Sequence, residues 1–303
     1  MIHTPRTLRR ALAATALVTI AAVAPLADDT ATADSARTAP ALAAGACGPV
    51  IPKGDGTTWT CTFADAFDGT ALDTDTWIVQ DTRRTGFTVG KTCFTSSPDN
   101  VRVRDGHLIL VAREGRTINC RSPKGFFSTR YTGGMVGTRG SFSQAYGRFE
   151  VRAELPAGGG PGLHGGFWMN PLDMAYGPWP ASGEIDVAEW WSSDPTLVLP
   201  SLHYNGRDPQ ADSGWGCRVT DQTAFHTYTL EWLRTVMRFS IDGDLCFARS
   251  WTPDAPQQAP QPFDRPFSMI LDMAVGPATG TNKVSWRTPF PGSLVVDYAR
   301  AWR

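Results

Sequence analysis

The stretch GRFEVRAEL, residues 147–155, alternates apolar and charged side chains over its length. On an extended strand, Phe149, Val151 and Ala153 lie on one face, and the charged residues between them lie on the other. A period of two is typical of a β-strand that has one buried face and one solvated face. The segment therefore predicts a sheet that packs against an apolar core.

Similar strand patterns recur on both sides of this segment. Residues 100–112, NVRVRDGHLILVA, and 237–249, MRFSIDGDLCFAR, each place Asp-Gly between two apolar-rich runs, which is the signal of a tight hairpin. Residues 267–274 and 294–302 supply two further strands. No long segment has the apolar spacing of an amphipathic helix. The chain is therefore predicted to be all-β, an antiparallel β-sandwich or barrel.

The beginning of the chain has a different character. Of the 303 residues, the first 33 combine a basic start, an Ala-rich apolar run and small residues, which is the layout of a secretory signal peptide. The apolar run is shorter than the roughly 20 strongly apolar residues of a spanning helix, so a membrane anchor is not expected. Residues 34–46 are predicted to be a disordered spacer, and residues 47–303 a single domain that is secreted to the extracellular space.

Charge and cysteine content narrow the function classes. The formal net charge is −1, which gives no electrostatic reason to expect a nucleic-acid or anionic-membrane partner. An even number of cysteines in an exported chain indicates disulfides, and no CxxC or HExxH pattern indicates a zinc site. Many connectivities are open, but proximity in the sequence favours three bonds: Cys47–Cys61, Cys93–Cys120 and Cys217–Cys246.

A cluster of acids lies in residues 179–191, WPASGEIDVAEWW. On a regular strand Glu184 and Asp186 share one face, whereas Glu189 lies on the opposite face because its separation from Glu184 is odd. A β-bulge adds one residue to a strand and would return Glu189 to the face of Glu184. The sequence therefore predicts a bulge near Val187–Ala188, with three carboxyl groups in a row.

A row of carboxyl groups suits the cleavage of glycosidic bonds. That reaction needs one nucleophilic and one protonated carboxyl group, about 5–5.5 Å apart in retaining enzymes. Repulsion and partial burial raise the pKa of one member and make it a proton donor. Neighbouring tryptophans offer flat apolar faces on which sugar rings stack. The alternatives are a calcium site and a solvated acidic edge, but Ile185 and Val187 indicate a strand rather than the polar loop that calcium prefers.

At these residues the chain resembles glycoside hydrolase family 16, whose signature is E-x-D-x-x-E, or E-x-D-x-E in an unbulged branch. The resemblance extends over most of the chain from residue 61 to 303. The segments that carry it, in the order of the family, are CTFADAFDGTALDTDTWIV, NVRVRDGHLILVARE, GSFSQAYGRFEVRAELP, GGFWMNP, FHTYTLEW, IDGDLCF, PFSMILDMAVG and LVVDYARAW.

The resemblance implies a concanavalin-like β-jelly-roll with a substrate cleft on its concave face. By motif position it implies Glu184 as the nucleophile, Asp186 as its assistant and Glu189 as the acid/base of a double displacement with retention. The bulged motif resembles that of the laminarinase branch, which implies an endo-acting hydrolase of β-1,3-glucan. The protein is expected to be a monomer. The alternatives are a β-galactan hydrolase of the agarase or carrageenase type, a carbohydrate-binding module without turnover and a structural wall protein.

The resemblance also suggests substrate contacts and a metal. Laminarinases often have a Trp-Pro-Ala run where this chain has GLHGGFW. His164 of this run is therefore expected to contact the substrate in place of the tryptophan. No cofactor is required, although a structural calcium is a feature of many members; here Asp65-Ala66-Phe67 replaces the usual Asp-Glu-Phe, which leaves Asp297 as the candidate ligand. The six residues expected to contact substrate are Trp168, Trp179, His203, Asn100, His164 and Trp190.

Overall fold

The computed structural model describes residues 45–277 and 280–303. The predicted signal peptide, and all of the predicted spacer except its last two residues, lie outside these ranges, so both remain predictions. Within the described ranges, no helix has the length and apolarity needed to cross a bilayer.

The described residues form fifteen strands and one short helix, which confirms the all-β prediction. In chain order they are β1 (Cys61–Asp65), β2 (Ile78–Val79), α1 (Thr82–Thr85), β3 (Cys93–Phe94), β4 (Val101–Arg104), β5 (His107–Ser122), β6 (Gly125–Gly137), β7 (Gly147–Glu154), β8 (Leu163–Pro171), β9 (Glu184–Trp191), β10 (Val198–His203), β11 (His226–Trp232), β12 (Met237–Ile241), β13 (Asp244–Arg249), β14 (Phe267–Val275) and β15 (Gly292–Trp302).

Eleven of these strands follow one hydrogen-bonded path, β10-β9-β8-β14-β6-β5-β15-β7-β11-β12-β13. The pairs along it are antiparallel, and the short β3 pairs with β6 in parallel. Strands β5 and β6 are long enough to pair with strands of both layers of the sandwich. The first part of β5 pairs with β15, and its second part pairs with β6, whose own end pairs with β14. The layers thus join into the jelly-roll that the resemblance implies.

The core lies between the two layers. Phe149, Val151 and Ala153 of β7 are at most 1% exposed, as their alternation predicts. Ile185 and Val187 of β9, in the other layer, belong to the same apolar cluster. Burial of a side chain of this kind stabilises the fold by about 1.5–3 kcal/mol. The opposite face of β9 is thereby directed away from the core.

Both predicted hairpins form. Asp105 and Gly106 have φ angles of 54° and 77°, and Asp242 and Gly243 have φ angles of 53° and 90°. Two consecutive positive φ angles are the signature of a type I′ turn, whose twist matches that of the strands it joins. The Asp-Gly pairs therefore fix the register of β4 with β5 and of β12 with β13.

Three disulfides form, with the connectivity that sequence proximity favours. Cys47–Cys61 ties the segment before β1 to that strand, Cys93–Cys120 joins β3 to β5, and Cys217–Cys246 joins the loop after β10 to β13. These bonds close sequence separations of 14, 27 and 29 residues. A bond of this kind stabilises a protein by about 2–4 kcal/mol.

Candidate active site

The register of β9 contains the predicted bulge. Phe167 of β8 pairs with Ala188, but the next residue, Trp168, pairs with Asp186, so Val187 has no partner on β8. The register between β9 and β10 shifts over the same interval. The extra residue restores even alternation between the two ends of the acidic motif. The prediction of a bulge at this place is confirmed.

Two glycines of β8 permit the strands to approach at the bulge. Gly166 has a φ of 148°, and a Cβ at this position would overlap the carbonyl oxygen of Ala188. A Cβ on Gly165 would likewise meet the carbonyl oxygen of Asp272 on β14. The Gly-Gly pair of GLHGGFW is therefore required by backbone contacts on two neighbouring strands.

A cavity of about 680 Å³ lies over the outward faces of β8, β9 and β14. Glu184, Asp186 and Glu189 all line this cleft, so the bulge does bring the three acids to one face. Trp168 and Trp179 also line the cleft. Trp179 is 57% exposed and stands at the rim, where a sugar ring can reach its face.

The carboxyl group of Glu184 is a weak acid. Burial, followed by the charge of Asp186, raises its pKa to about 8. His203 and a hydrogen bond from the Trp179 side chain act in the opposite direction but do not cancel these effects. At neutral pH Glu184 therefore holds a proton at this end of the acidic row.

Asp186 is the most buried of the three acids, at 6% exposure. Burial and the charge of Glu189 raise its pKa well above the usual value. Nε2 of His203 lies 2.9 Å from Oδ2 of Asp186. One carboxylate oxygen each of Glu184 and Asp186 and one imidazole nitrogen of His203 all lie within 4.8 Å of one another. The middle of the row is thus a tight polar cluster whose members titrate together.

The pKa of Glu189 is shifted in the opposite direction. Burial works to raise its pKa, but a hydrogen bond and charge from His164, together with the charge of His203 and a hydrogen bond from Trp191, outweigh burial, so the pKa is lowered. Nε2 of His164 lies 3.1 Å from Oε1 of Glu189. The imidazole ring stacks on Trp191, with ring centroids 3.9 Å apart. These contacts therefore favour an ionised Glu189 next to an imidazole.

The structure corrects two of the expected substrate contacts. Trp190 is completely buried, and its Nε1 donates to the carbonyl oxygen of Pro195 at 2.9 Å. The strand alternates regularly after the bulge, so the neighbour of Glu189 must face the core. Asn100 is 2% exposed, and its amide donates to the carbonyl oxygen of Val111 at 2.8 Å. Both side chains have structural roles.

Two further residues that the sequence analysis does not single out, Asp272 and Phe87, line the cleft. Asp272 is 2% exposed, its Oδ1 accepts from Nε1 of Trp168 at 3.0 Å, and burial raises its pKa to about 6. Its signal is a lone acid in the apolar run FSMILDMAV, a strand that is buried throughout. Phe87 stacks on Trp168 with ring centroids 6.4 Å apart. Trp191, one of the tryptophans beside the acidic motif, stacks on His164.

Asp297 does not fit the expected calcium site. Its Oδ2 lies 2.5 Å from Nη1 of Arg152, so a guanidinium already neutralises the carboxylate. Asp65, at the start of the family's Asp-Glu-Phe position, is engaged by the Phe67 amide and the Trp77 indole. Within the described ranges, the group of acids and histidines close enough to hold a cation is the one in the cleft, and it excludes Asp297. We derive no role for calcium.

Clustered carboxyl groups in an aromatic-walled cleft are the arrangement that a glycoside hydrolase needs. A family model described as "Glycosyl hydrolases family 16" matches residues 90–300. The chain belongs to this family.

Curated relatives and solved structures agree with this assignment. The chain is 36% identical over 218 residues to "Beta-glucanase" of Rhodothermus marinus, covering 68% of this chain and 71% of that protein. It is 30% identical over 262 residues to "Glucan endo-1,3-beta-glucosidase A1" of Niallia circulans, covering 80% of this chain but only 37% of that longer protein. The X-ray structure of the laminarinase from Rhodothermus marinus superposes with a TM-score of 0.68 at 32% identity, covering 81% of this chain and 97% of that one.

Proposed function

We propose that this protein is a secreted, endo-acting glycoside hydrolase that cleaves β-1,3-glucan with retention of configuration. The observation that carries the proposal is the bulge at Val187, which brings Glu189 to the cleft that Glu184 lines. The names of the relatives support the substrate class, because they include an endo-1,3-β-glucosidase and a laminarinase. Three disulfides support an oxidising, extracellular location.

The chemistry assigned to the cleft is double displacement. The ionised carboxylate of Glu184 attacks the anomeric carbon, while Glu189 gives a proton to the departing glycosidic oxygen. A covalent glycosyl ester of Glu184 results. Glu189 then takes a proton from water, the water oxygen attacks the anomeric carbon, and Glu184 leaves as a carboxylate. Trp179 at the rim stacks against a sugar ring and holds the chain in register.

The protons of the acidic row must be redistributed before this reaction. With a pKa of about 8, Glu184 carries a proton at neutral pH, whereas the nucleophile must be ionised. Asp186 is the acceptor within the cluster, because burial and Glu189 raise its own pKa well above the usual value. A proton that moves from Glu184 to Asp186 leaves the nucleophile charged and neutralises its neighbour. This is the assisting role that we assign to Asp186.

Reducing-sugar release tests the proposal. Purified protein should release reducing ends from laminarin, and the viscosity of a long β-1,3-glucan should fall early in the reaction because cleavage is internal. Glu184→Gln and Glu189→Gln should each lose at least about 10²-fold in rate. Wild-type activity that neither substitution reduces would contradict the assignment of the site.

The same assay separates the competing functions when mixed-linkage glucan, agarose and carrageenan are included. Preferential release from agarose or carrageenan would replace the glucan by a β-galactan. Binding to laminarin without release, equal in wild type and Glu184→Gln, would identify a carbohydrate-binding module. A structural wall protein would show neither. The expected monomer is checked by light scattering on the purified protein.

A further inference from the structure

We propose that His164 and Glu189 act as one proton-carrying unit, in which the imidazole holds the proton that Glu189 gives to the leaving oxygen and later takes from water. The inference rests on the proposed hydrolase function and deepens it, because it assigns a positioning residue to the acid/base. His164 lies on β8 and does not belong to the acidic motif of β9.

The geometry couples the two side chains directly. Nε2 of His164 lies 3.1 Å from Oε1 of Glu189, which is hydrogen-bonding distance. The imidazole is fixed in orientation by stacking on Trp191 at 3.9 Å between ring centroids. Its other nitrogen, Nδ1, is buried and has no hydrogen-bond partner among the described residues. The carboxyl group of Glu189 is thus the hydrogen-bond partner of the imidazole ring among the described residues.

The charges around the ring favour its protonated form. Glu189 and Asp186 face it from β9, and Asp272 faces it from β14. His203 on β10 lies on the far side of Asp186 and acts on Glu189 as well. Burial alone would lower the pKa of His164, but the three carboxyl groups outweigh burial, so the pKa is raised. The proton on Nε2 of His164 is thus held next to Oε1 of Glu189.

This arrangement resolves a conflict in the acid/base role. A general acid must carry a proton, yet His164 lowers the pKa of Glu189 and favours its ionised form. If the imidazolium passes its Nε2 proton to Oε1, the pair becomes a neutral imidazole and a carboxylic acid without any change in its total proton count. The two groups then titrate as a pair, with pKa values that belong to both.

The proton balance closes over one catalytic cycle. In the first step, the proton moves from Nε2 of His164 to Oε1 of Glu189, and Glu189 delivers a proton to the glycosidic oxygen as the bond to the anomeric carbon breaks. In the second step, Glu189 accepts a proton from the attacking water, and Nε2 takes it back. The imidazolium and carboxylate are restored, and no further reactant is needed.

Nuclear magnetic resonance measures the coupling without any assay of activity. The imidazole resonances of His164 should titrate with a pKa above the ordinary 6.5 in the wild type. In Glu189→Gln that pKa should fall by about one pH unit or more, since the carboxylate partner is lost. Glu184→Gln is the matched control, because Glu184 is not one of the carboxyl groups that dominate the shift of His164, and it should move the titration far less than Glu189→Gln does. An equal titration in wild type and Glu189→Gln would overturn the proposal.

Kinetics of His164→Gln separate a proton-holding role from a structural one. For laminarin, kcat/KM should fall by about 100-fold, whereas for a dinitrophenyl laminaribioside it should change by less than about 5-fold, because that leaving group needs no proton. An equal loss on both substrates would show a structural role and overturn the proposal. If wild type cleaves neither substrate, the hydrolase function itself fails, while the magnetic-resonance titration still reports on the pair.

Discussion

Glu184 and Glu189 are separated by an odd number of positions on one strand, yet both side chains line the same cleft. A regular strand would direct one of them into the core between the sheets. Val187, which has no partner on β8, supplies the extra residue that corrects the alternation. Whether the two acids share a face therefore depends on the bulge between them, and not only on their separation in the sequence.

Removal of one residue from the bulge tests this relationship. Deletion of Ala188 leaves an even separation between the glutamates, so a regular strand would keep both on the cleft face. We expect the variant to fold and to retain activity within about 100-fold of the wild type, with small shifts in carboxyl position as the reason for the loss. Circular dichroism and laminarin hydrolysis measure the two properties.

Deletion of both Val187 and Ala188 is the matched control. It restores an odd separation without a bulge, and the second glutamate is then directed into the apolar core. We expect this variant to be inactive and strongly destabilised. The account is wrong if the double deletion retains more activity than the single one.

The glycine opposite the bulge should tolerate no side chain. Gly166 has a positive φ, and its Cβ would overlap the backbone of β9, so Gly166→Ala should lower the free energy of unfolding by about 2–4 kcal/mol. Gly115→Ala is a suitable control because nothing lies within 4 Å of that Cβ position. Urea unfolding of the two variants measures the difference. Equal, small effects would show that β8 does not approach the bulge as closely as described.

Glu184 should make the stability of the protein depend on pH. Its pKa rises from 4.5 to about 8 on folding, so its contribution to stability is fully present below pH 4.5 and is lost as the pH rises through about 8. Glu184→Gln removes this dependence. The free energy of unfolding of the variant, relative to wild type, should therefore increase by roughly 2–4 kcal/mol between about pH 5 and pH 9.

Glu189→Gln provides the contrast for that measurement. The pKa of Glu189 is lowered, so its contribution to stability is present above the usual carboxyl range and is lost only in acid. Between pH 5 and pH 9 its substitution should give no comparable gain. A gain of the same size for both variants would mean that the two acids do not differ in environment.

Trp179 should contribute to binding through its ring and to the pKa of Glu184 through its indole N–H. Trp179→Ala removes both and should raise KM for laminarin by about 10-fold, which corresponds to the loss of one stacking contact. Trp179→Phe keeps a ring and should leave KM within about 3-fold, but the acidic limb of the kcat/KM profile should move to higher pH. An unchanged KM in Trp179→Ala would show that no sugar ring stacks at this rim.

Much of this fold could be predicted because its signals are local. The alternation in β7 and the two Asp-Gly turns depend on neighbours within a few residues, and all three form as expected. The bulge could also be inferred, because one extra residue in a strand is the simplest way to bring two acids with an odd separation to the same face. Pairings between distant strands, such as β14 with β8, left no comparable local signal.

The site was predicted less completely, for the same reason. Asn100 and Asp297 are engaged by partners whose proximity only the folded chain establishes. The burial of Trp190, in contrast, follows from the alternation that puts Glu189 on the cleft face. Asp272 was overlooked although a lone acid in an apolar strand is a visible signal, because the carboxyl groups of β9 already accounted for the chemistry. His164 was expected as a substrate contact, whereas the structure places its Nε2 against Glu189.

A covalent trap tests the central claim most directly. An activated 2-deoxy-2-fluoro-laminaribioside slows both steps of a double displacement and lets the glycosyl ester accumulate, so that the labelled peptide can be identified by mass spectrometry. We expect the label on Glu184, in stoichiometric amount, and none in Glu184→Gln. A label on Glu189, or turnover without any labelled peptide and with inversion at the anomeric carbon, would contradict the account.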